Sequence, residues 1–137
     1  MRHPDATRAD LERLARWLIV ESEELQPFIP EALDLVQATA RAPFWNQARA
    51  SAEAHVEVPF AIRARDAKPG VPALLFGAID LVYRAGEGWK IVDYKTDRGA
   101  DDEAFRQRHG LQLVEYRTAW ERITGEKVQS AELVRVR

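Results

Sequence analysis

Two apolar runs, Ala73–Arg84 and Trp89–Lys95, are joined only by Ala85-Gly86-Glu87-Gly88, and that short joint limits the possible folds more than any other feature. Both runs are rich in β-branched and aromatic residues, the composition of strands. Glycine supplies the positive φ that a two-residue hairpin turn requires. With Gly86 and Glu87 as the central turn residues, Ala85 faces Gly88 and Arg84 faces Trp89, and the register is set by the turn. Counting on down the ladder places Asp80 opposite Asp93. Their Cβ atoms should then be about 5 Å apart on one face of the sheet, where like charges oppose folding. A run as apolar as Leu74-Leu75-Phe76-Gly77-Ala78-Ile79 does not carry such a pair without compensation.

A divalent cation is the simplest compensation. Mg²⁺ and Mn²⁺ take hard oxygen ligands, commonly one or two carboxylates completed by water and substrate phosphate. Lys95 lies two residues beyond Asp93, so strand alternation sends it to the same face. Two acids and a lysine arranged in this way suit phosphodiester hydrolysis, with a metal to activate water and a lysine to position and neutralise. Further along the chain, Gln112 and Tyr116 share one face of a predicted helix at four-residue spacing. Trp120 and Ile123 extend that stripe. A glutamine at the end of an apolar stripe needs a polar partner once the helix docks.

The surrounding chain reads as helices, then β, β, β, α, β. A first helix is predicted over Ala9–Leu18, with Leu11, Leu14 and Trp17 at helical spacing. Pro27 and Pro30 interrupt the helical pattern, which restarts at Glu31–Val36 with Pro30 suited to a first turn. A short third helix begins near Pro43-Phe44-Trp45. His55–Ile62 reads as a strand with an irregularity at Pro59, and Arg63–Pro72 as a loop. A polar loop is expected over residues 97–107, then a helix from His109 to Thr124 stopped by Gly125, then a strand over Val128–Arg137. The helical part, residues 1–52, and the α/β part, residues 53–137, are read together as one domain. The 137 residues suffice for a single core. With no cysteine, disulfides, thiolate zinc sites, iron–sulfur clusters and cysteine nucleophiles are excluded. The longest apolar stretch, Val71–Leu75 running on to Ile79, falls far short of the roughly 20 residues of a membrane span. Nothing apolar follows Met1-Arg2-His3-Pro4-Asp5 in the manner of a secretory signal. The expected class is a soluble, cytoplasmic protein without a membrane partner. The net charge of −2 gives no basic footprint for a polyanion, so local geometry or a neighbouring domain must supply any affinity for nucleic acid.

Gly77-Ala78-Ile79-Asp80-Leu81, Ile91-Val92-Asp93-Tyr94-Lys95-Thr96-Asp97 and Gln112-x-x-x-Tyr116 together resemble the PD-(D/E)XK nucleases. More narrowly, they look like the C-terminal nuclease domain of RecB- and AddA-type bacterial helicase–nucleases. Glu57-Val58-Pro59-Phe60 matches a further short pattern that these domains carry before the first catalytic strand. The resemblance covers roughly residues 30–137. It implies a restriction-endonuclease-like mixed β-sheet flanked by helices, and metal-dependent DNA cleavage in repair or recombination. It makes Asp80 and Asp93 metal ligands, Lys95 the catalytic lysine, and the Tyr94 carbonyl a possible further ligand. Gln112 and Tyr116 match the helix motif beside the DNA, and helicase domains, in the same or a partner chain, are the implied partners. Two departures accompany these matches. The histidine helix that the family carries upstream is absent, since His3, His55 and His109 all stand in other contexts. No Walker-type phosphate loop is present, which points to a part of a larger helicase–nuclease.

Plainer readings exist for each feature. Asp80 alone could be an edge-strand polar residue, and Asp93 with Lys95 a surface ion pair. Glu57 is read either as a structural partner or as part of the site. Tyr83 and Tyr94 point to the opposite face and read as core. Trp17, Trp45 and Trp120 read as packing, and Glu21, Glu23 and Glu24 as a solvated face. Arg98, Arg106, Arg108 and Arg117 are candidates for phosphate contacts. Two alternative functions follow: a catalytically incomplete module that binds DNA or docks on a helicase, and a phosphoesterase acting on small molecules.

Overall fold

The computed structural model describes residues 6–64, 73–96 and 102–136. The N-terminal pentapeptide, most of the expected 63–72 loop, the first part of the expected 97–107 loop and Arg137 lie outside the described residues. The chain divides into two compact units, one up to Ala42 and one over Pro43–Val136.

The first unit is helical. Helix α1 (Arg8–Leu18) opens with a capping box, in which Asp10 N donates to Thr7 Oγ1 (3.2 Å) and Thr7 N donates to Asp10 Oδ2 (2.9 Å). Helix α2 (Ile29–Arg41) carries Pro30 in its first turn, where a missing N–H costs nothing. A 3₁₀ helix, Glu23–Phe28, holds Pro27 and the exposed Glu23 and Glu24. Arg8 ties α1 to α2 through Asp34 (2.7 Å) and Gln37 (2.9 Å). The stripe on α1 has the expected period, but it is not packed: α1 buries no residue and Trp17 is 71% exposed. Trp17 is therefore corrected from packing to surface. The helical spacing holds, but Trp17 lies on the uncovered part of the stripe, whereas Leu11 is half-buried.

The second unit is a four-stranded mixed sheet between helices. Strands β1 (Ala54–Arg63), β2 (Leu74–Ala85) and β3 (Gly88–Lys95) form an antiparallel meander, and β4 (Val128–Arg135) pairs parallel to β3. The crossover between the parallel strands is α4 (Asp102–Thr124). This is the restriction-endonuclease-like arrangement that the resemblance implied. The β2–β3 turn is as counted: Gly86 takes φ +62° and pairs run Ala85↔Gly88, Arg84↔Trp89 and onwards. Gly88 is required by a close approach, because a Cβ there would stand 2.8 Å from the Lys127 carbonyl oxygen.

Tyr116, Ala119 and Trp120 of α4 pack with Phe60, Ile62, Ile79, Val82, Trp89, Ile91 and Val128 to make the core on one face. On the other face α3 (Pro43–Ala50) covers the two tyrosines read as core: Phe44 stacks on Tyr94 at 5.8 Å, and the Tyr83 hydroxyl donates to Gln47 (2.8 Å). Trp45 leans on Tyr94 as well (6.4 Å). Helix α4 corrects the expected polar loop, since residues 102–107 are helical. Of the acidic residues read there as loop composition, Glu103 sits instead in the first helical turn, where negative charge meets the positive end of the helix dipole, and Asp101 lies outside the described residues. Gln107 donating to Glu103 (3.0 Å) adds an i,i+4 link. Gly125, at φ +72°, ends the helix as expected. No helix among the described residues is long and apolar enough to cross a membrane.

Candidate functional site

The site grows out of a local failure of sheet regularity. On β2 the side chains in the core beneath α4 are Leu75 and Ile79 before Asp80, and Val82 after it. On β1 they are Val58, Phe60 and Ile62, whereas beyond Glu57 it is His55 that lies against Trp89 (5.8 Å) and Trp120 (6.1 Å). The inward-facing set therefore steps by one residue on both strands. The pairs Val56↔Leu81 and Val58↔Ile79 keep one register across the step. Glu57, between them and across from Asp80, takes φ +53°. A non-glycine residue in that region costs roughly 1 kcal/mol or more, and such strain gathers at functional positions.

The β2–β3 ladder ends at Leu81↔Val92, one pair before the two acids. Beyond it the Tyr94 backbone N–H donates to Asp80 Oδ2 (3.1 Å), so a side chain takes over from a ladder carbonyl. Asp93 is fully buried. Its Oδ1 accepts from Lys95 Nζ at 2.9 Å, and its Oδ2 has no hydrogen-bond donor. Burial, then the hydrogen-bonding reach and charge of Asp93, push the Asp80 carboxyl up to about 6, against the pull of the Tyr94 N–H and Lys95. The two carboxylates are thus close enough to share a proton, and an orphaned buried oxygen costs about 1–3 kcal/mol. A proton or a cation fits that position. The donor set, two carboxylates beside a lysine, suits a hard divalent ion that keeps waters and takes substrate oxygens. Among the described residues no group of three or more His, Cys, Asp or Glu could hold a metal.

Tyr116, on α4, is buried, and its hydroxyl accepts from Gln112 Nε2 at 2.6 Å. Burial, then the negative charges of Asp93 and Asp80, push this phenol up to about 12. The helix pair is thus brought beside the acid pair. Phe60 pairs directly with Gly77, and a Cβ on Gly77 would lie 3.1 Å from the Phe60 ring. That ring meets Tyr116 edge-on at 5.8 Å. The Glu-x-Pro-Phe and Gly-x-Ile-Asp segments are therefore two sides of one hairpin, and the glycine leaves room for the ring that seats Tyr116. The Glu57 side chain is exposed, and its charge is felt by the Tyr94 phenol, which burial and then Asp80 have already pushed up. Arg106 and Arg117 are exposed on α4; Arg98 and the Arg108 side chain lie outside the described residues.

One neighbour escaped the sequence reading. Lys95 pairs across the parallel ladder with Arg135. The β-α-β order signals that pairing, but its register depends on the crossover length and on an irregularity between Trp89 and Lys90, which no spacing in the sequence reveals.

Known proteins resemble this chain over most of its length. An ATP-dependent helicase/nuclease subunit from Acetivibrio thermocellus is 30% identical over 94% of this chain, which spans 11% of that protein. The protein of the same description from Geobacillus kaustophilus is 32% identical over 90% of the chain and 12% of its own length. A shorter stretch, 41% of the chain, is 38% identical to the Clostridium botulinum counterpart. The chain thus spans about one eighth or less of these relatives. Residues 2–137 match the PD-(D/E)XK nuclease superfamily as a whole, a span that takes in all four strands and both acids, and on that match the chain belongs to this superfamily.

Proposed function

We propose that the chain is a nuclease domain that hydrolyses DNA phosphodiester bonds with a divalent metal, in the setting of a helicase–nuclease engaged in repair or recombination. The observation that carries this reading is the buried Asp93, whose Oδ2 lacks a donor while Asp80 crowds it and Lys95 caps its other oxygen. Asp80, Asp93 and the Tyr94 carbonyl would hold Mg²⁺ or Mn²⁺. Such an ion, when bound, lowers the pKa of a coordinated water and polarises the phosphate.

The remaining work falls to this chain's own groups. Lys95, held by Asp93, places its ammonium where it orients the attacking water and offsets charge on the phosphate in the transition state. Tyr116 stays protonated at any working pH, so its hydroxyl is available to donate. Gln112 fixes that hydroxyl and keeps an amide oxygen and a second N–H for the substrate strand. Asp80, with its carboxyl held by the Tyr94 N–H, keeps its orientation between β2 and β3.

Cleavage of linear and circular DNA by the purified chain in Mg²⁺ or Mn²⁺ tests the reading. Asp80→Ala and Lys95→Ala should each lower it by orders of magnitude in the protein that stays folded, and wild-type activity surviving either change overturns the assignment. The gathering of only two described acids favours one alternative, a module that binds DNA or a helicase without cutting. Calorimetry with Mn²⁺ separates the two, since a binding-only module shows no saturable metal site.

A further inference from the structure

The sheet register places a second cation beside Lys95. In the parallel β3–β4 ladder, Ile91 pairs with Ala131, Asp93 with Leu133 and Lys95 with Arg135. The ladder continues past that pair, because Val136 N donates to the Lys95 carbonyl (2.9 Å), so Arg135 is held alongside Lys95 by backbone bonds on both sides. Which face it occupies follows from its neighbours. Ile91 and Ala131 lie in the core under α4, whereas Glu132 meets Lys90 at 2.8 Å on the opposite face. Two-residue alternation then carries Asp93 and Lys95 on β3, and Leu133 and Arg135 on β4, to the α4 face together.

The position suits a ligand. Both residues stand at the carboxyl ends of the parallel strands, where open α/β sheets bind substrates. The charge also matters. Asp80, Asp93 and Lys95 leave the metal-free site at −1, on a chain whose net charge is −2, which repels a polyanion. Arg135 adds a positive charge to that face. A guanidinium is always charged, and its planar fork matches two oxygens of one phosphate, which a lysine ammonium does not.

We propose that Arg135 binds a phosphate of the substrate strand next to the acid pair, as a substrate-positioning residue that sets the strand's register over Asp80 and Asp93. The proposal rests on the nuclease reading for its substrate, but its test can be read separately. Binding of a fluorescein-labelled oligonucleotide, single- and double-stranded, is measured by anisotropy in EDTA across a salt series for the wild type, Arg135→Gln and Arg135→Lys. Arg135→Gln should weaken binding roughly tenfold and lower the slope of log Kd against log salt by about one. Arg135→Lys should restore the slope while recovering only part of the affinity, an outcome that a folding defect does not produce. In cleavage assays Arg135→Gln should raise KM more than it lowers kcat, and Mn²⁺ binding by calorimetry should not change. An unchanged salt slope and KM in a wild type that cuts DNA overturns the Arg135 inference alone. A wild type that binds with an Arg135-dependent slope and never cuts overturns the nuclease reading alone. A wild type that binds no oligonucleotide overturns the Arg135 inference, whatever its cleavage.

Discussion

The two ends of the β2–β3 hairpin use the same strands for opposite purposes. At the turn end, Arg84 lies 4.4 Å over the Trp89 ring and donates to Glu126 (2.6 Å), which also accepts from the Trp89 indole (2.6 Å). Trp120 packs edge-on against Trp89 at 4.8 Å, and His55 bonds to Glu53 (2.8 Å). Arg84 there has a partner of opposite sign in Glu126. A few residues along, Asp80 and Asp93 are crowded together, one buried oxygen has no donor, and Glu57 holds a left-handed backbone. The difference shows where stability resides and where it has been given up. The turn end fixes the register, and that register holds the acids together against their repulsion.

The sharpest way to break this comparison is to attack the acid end through its chemistry. Asp93→Asn and Lys95→Ala should each lower the rate of Mg²⁺-dependent DNA cleavage by about 10²–10⁴-fold, with the unfolding midpoint of Asp93→Asn within a few degrees of the wild type and that of Lys95→Ala lowered, because both Asp93 oxygens then lack a donor. Initial rates on labelled DNA, paired with thermal melts, read both quantities. A variant that loses activity only in proportion to its unfolded fraction would show that the acid end is structural.

The converse attack is Trp89→Ala. Trp89 is 2% exposed and anchors the aromatic cluster, so truncation should cost about 3–5 kcal/mol in urea unfolding. Whatever protein stays folded should retain its metal affinity. Loss of Mn²⁺ binding in the folded fraction would show that the two ends are not separable.

The third test uses pH. The folded-state pKa of Asp80 is raised to about 6 from an ordinary value near 3.8. Below the unfolded value the carboxyl is neutral in both states and costs nothing. As pH rises through the folded value, ionisation is penalised in the folded state only, so stability falls between about pH 4 and pH 6. Asp80→Asn should remove that decline and stabilise the metal-free protein at pH 8 by about 1 kcal/mol, once solvent screening of the half-buried carboxyl is allowed for. Denaturant unfolding at pH 4 and pH 8 in EDTA measures it, and equal stabilisation at both would rule out the crowding of the two acids as its cause.

The legibility of the sequence follows the same division. Turn chemistry is local, so Gly86-Glu87 sufficed to count the β2–β3 register down to Leu81↔Val92 and bring the two acids side by side. Gln112 and Tyr116 were readable because four-residue spacing fixes a helix face. The start of α4 was not, because acidic residues favour loops and first helical turns alike. Trp17 followed helical spacing correctly, but spacing does not say whether anything covers a stripe. The backbone kink at Glu57 and the pairing of Arg135 with Lys95 arise from long-range sheet geometry, and no residue type announces either.

The smallest effect expected is also the most discriminating. Gly77 touches no acid, yet it faces Phe60, whose ring abuts Tyr116. Gly77→Ala replaces a weak strand former with a better one, a gain of roughly 0.5–1 kcal/mol. The new Cβ would stand 3.1 Å from the Phe60 ring, so the ring must shift by a few tenths of an ångström and offset most of that gain. Stability should therefore change by less than about 0.5 kcal/mol. Any shift passes through Phe60 to Tyr116 and Gln112, so KM for DNA should rise by about two- to fivefold while Mn²⁺ affinity stays constant. An unchanged KM would mean that the glycine serves packing alone and that the hairpin partners of the acid strand do not position the helix pair.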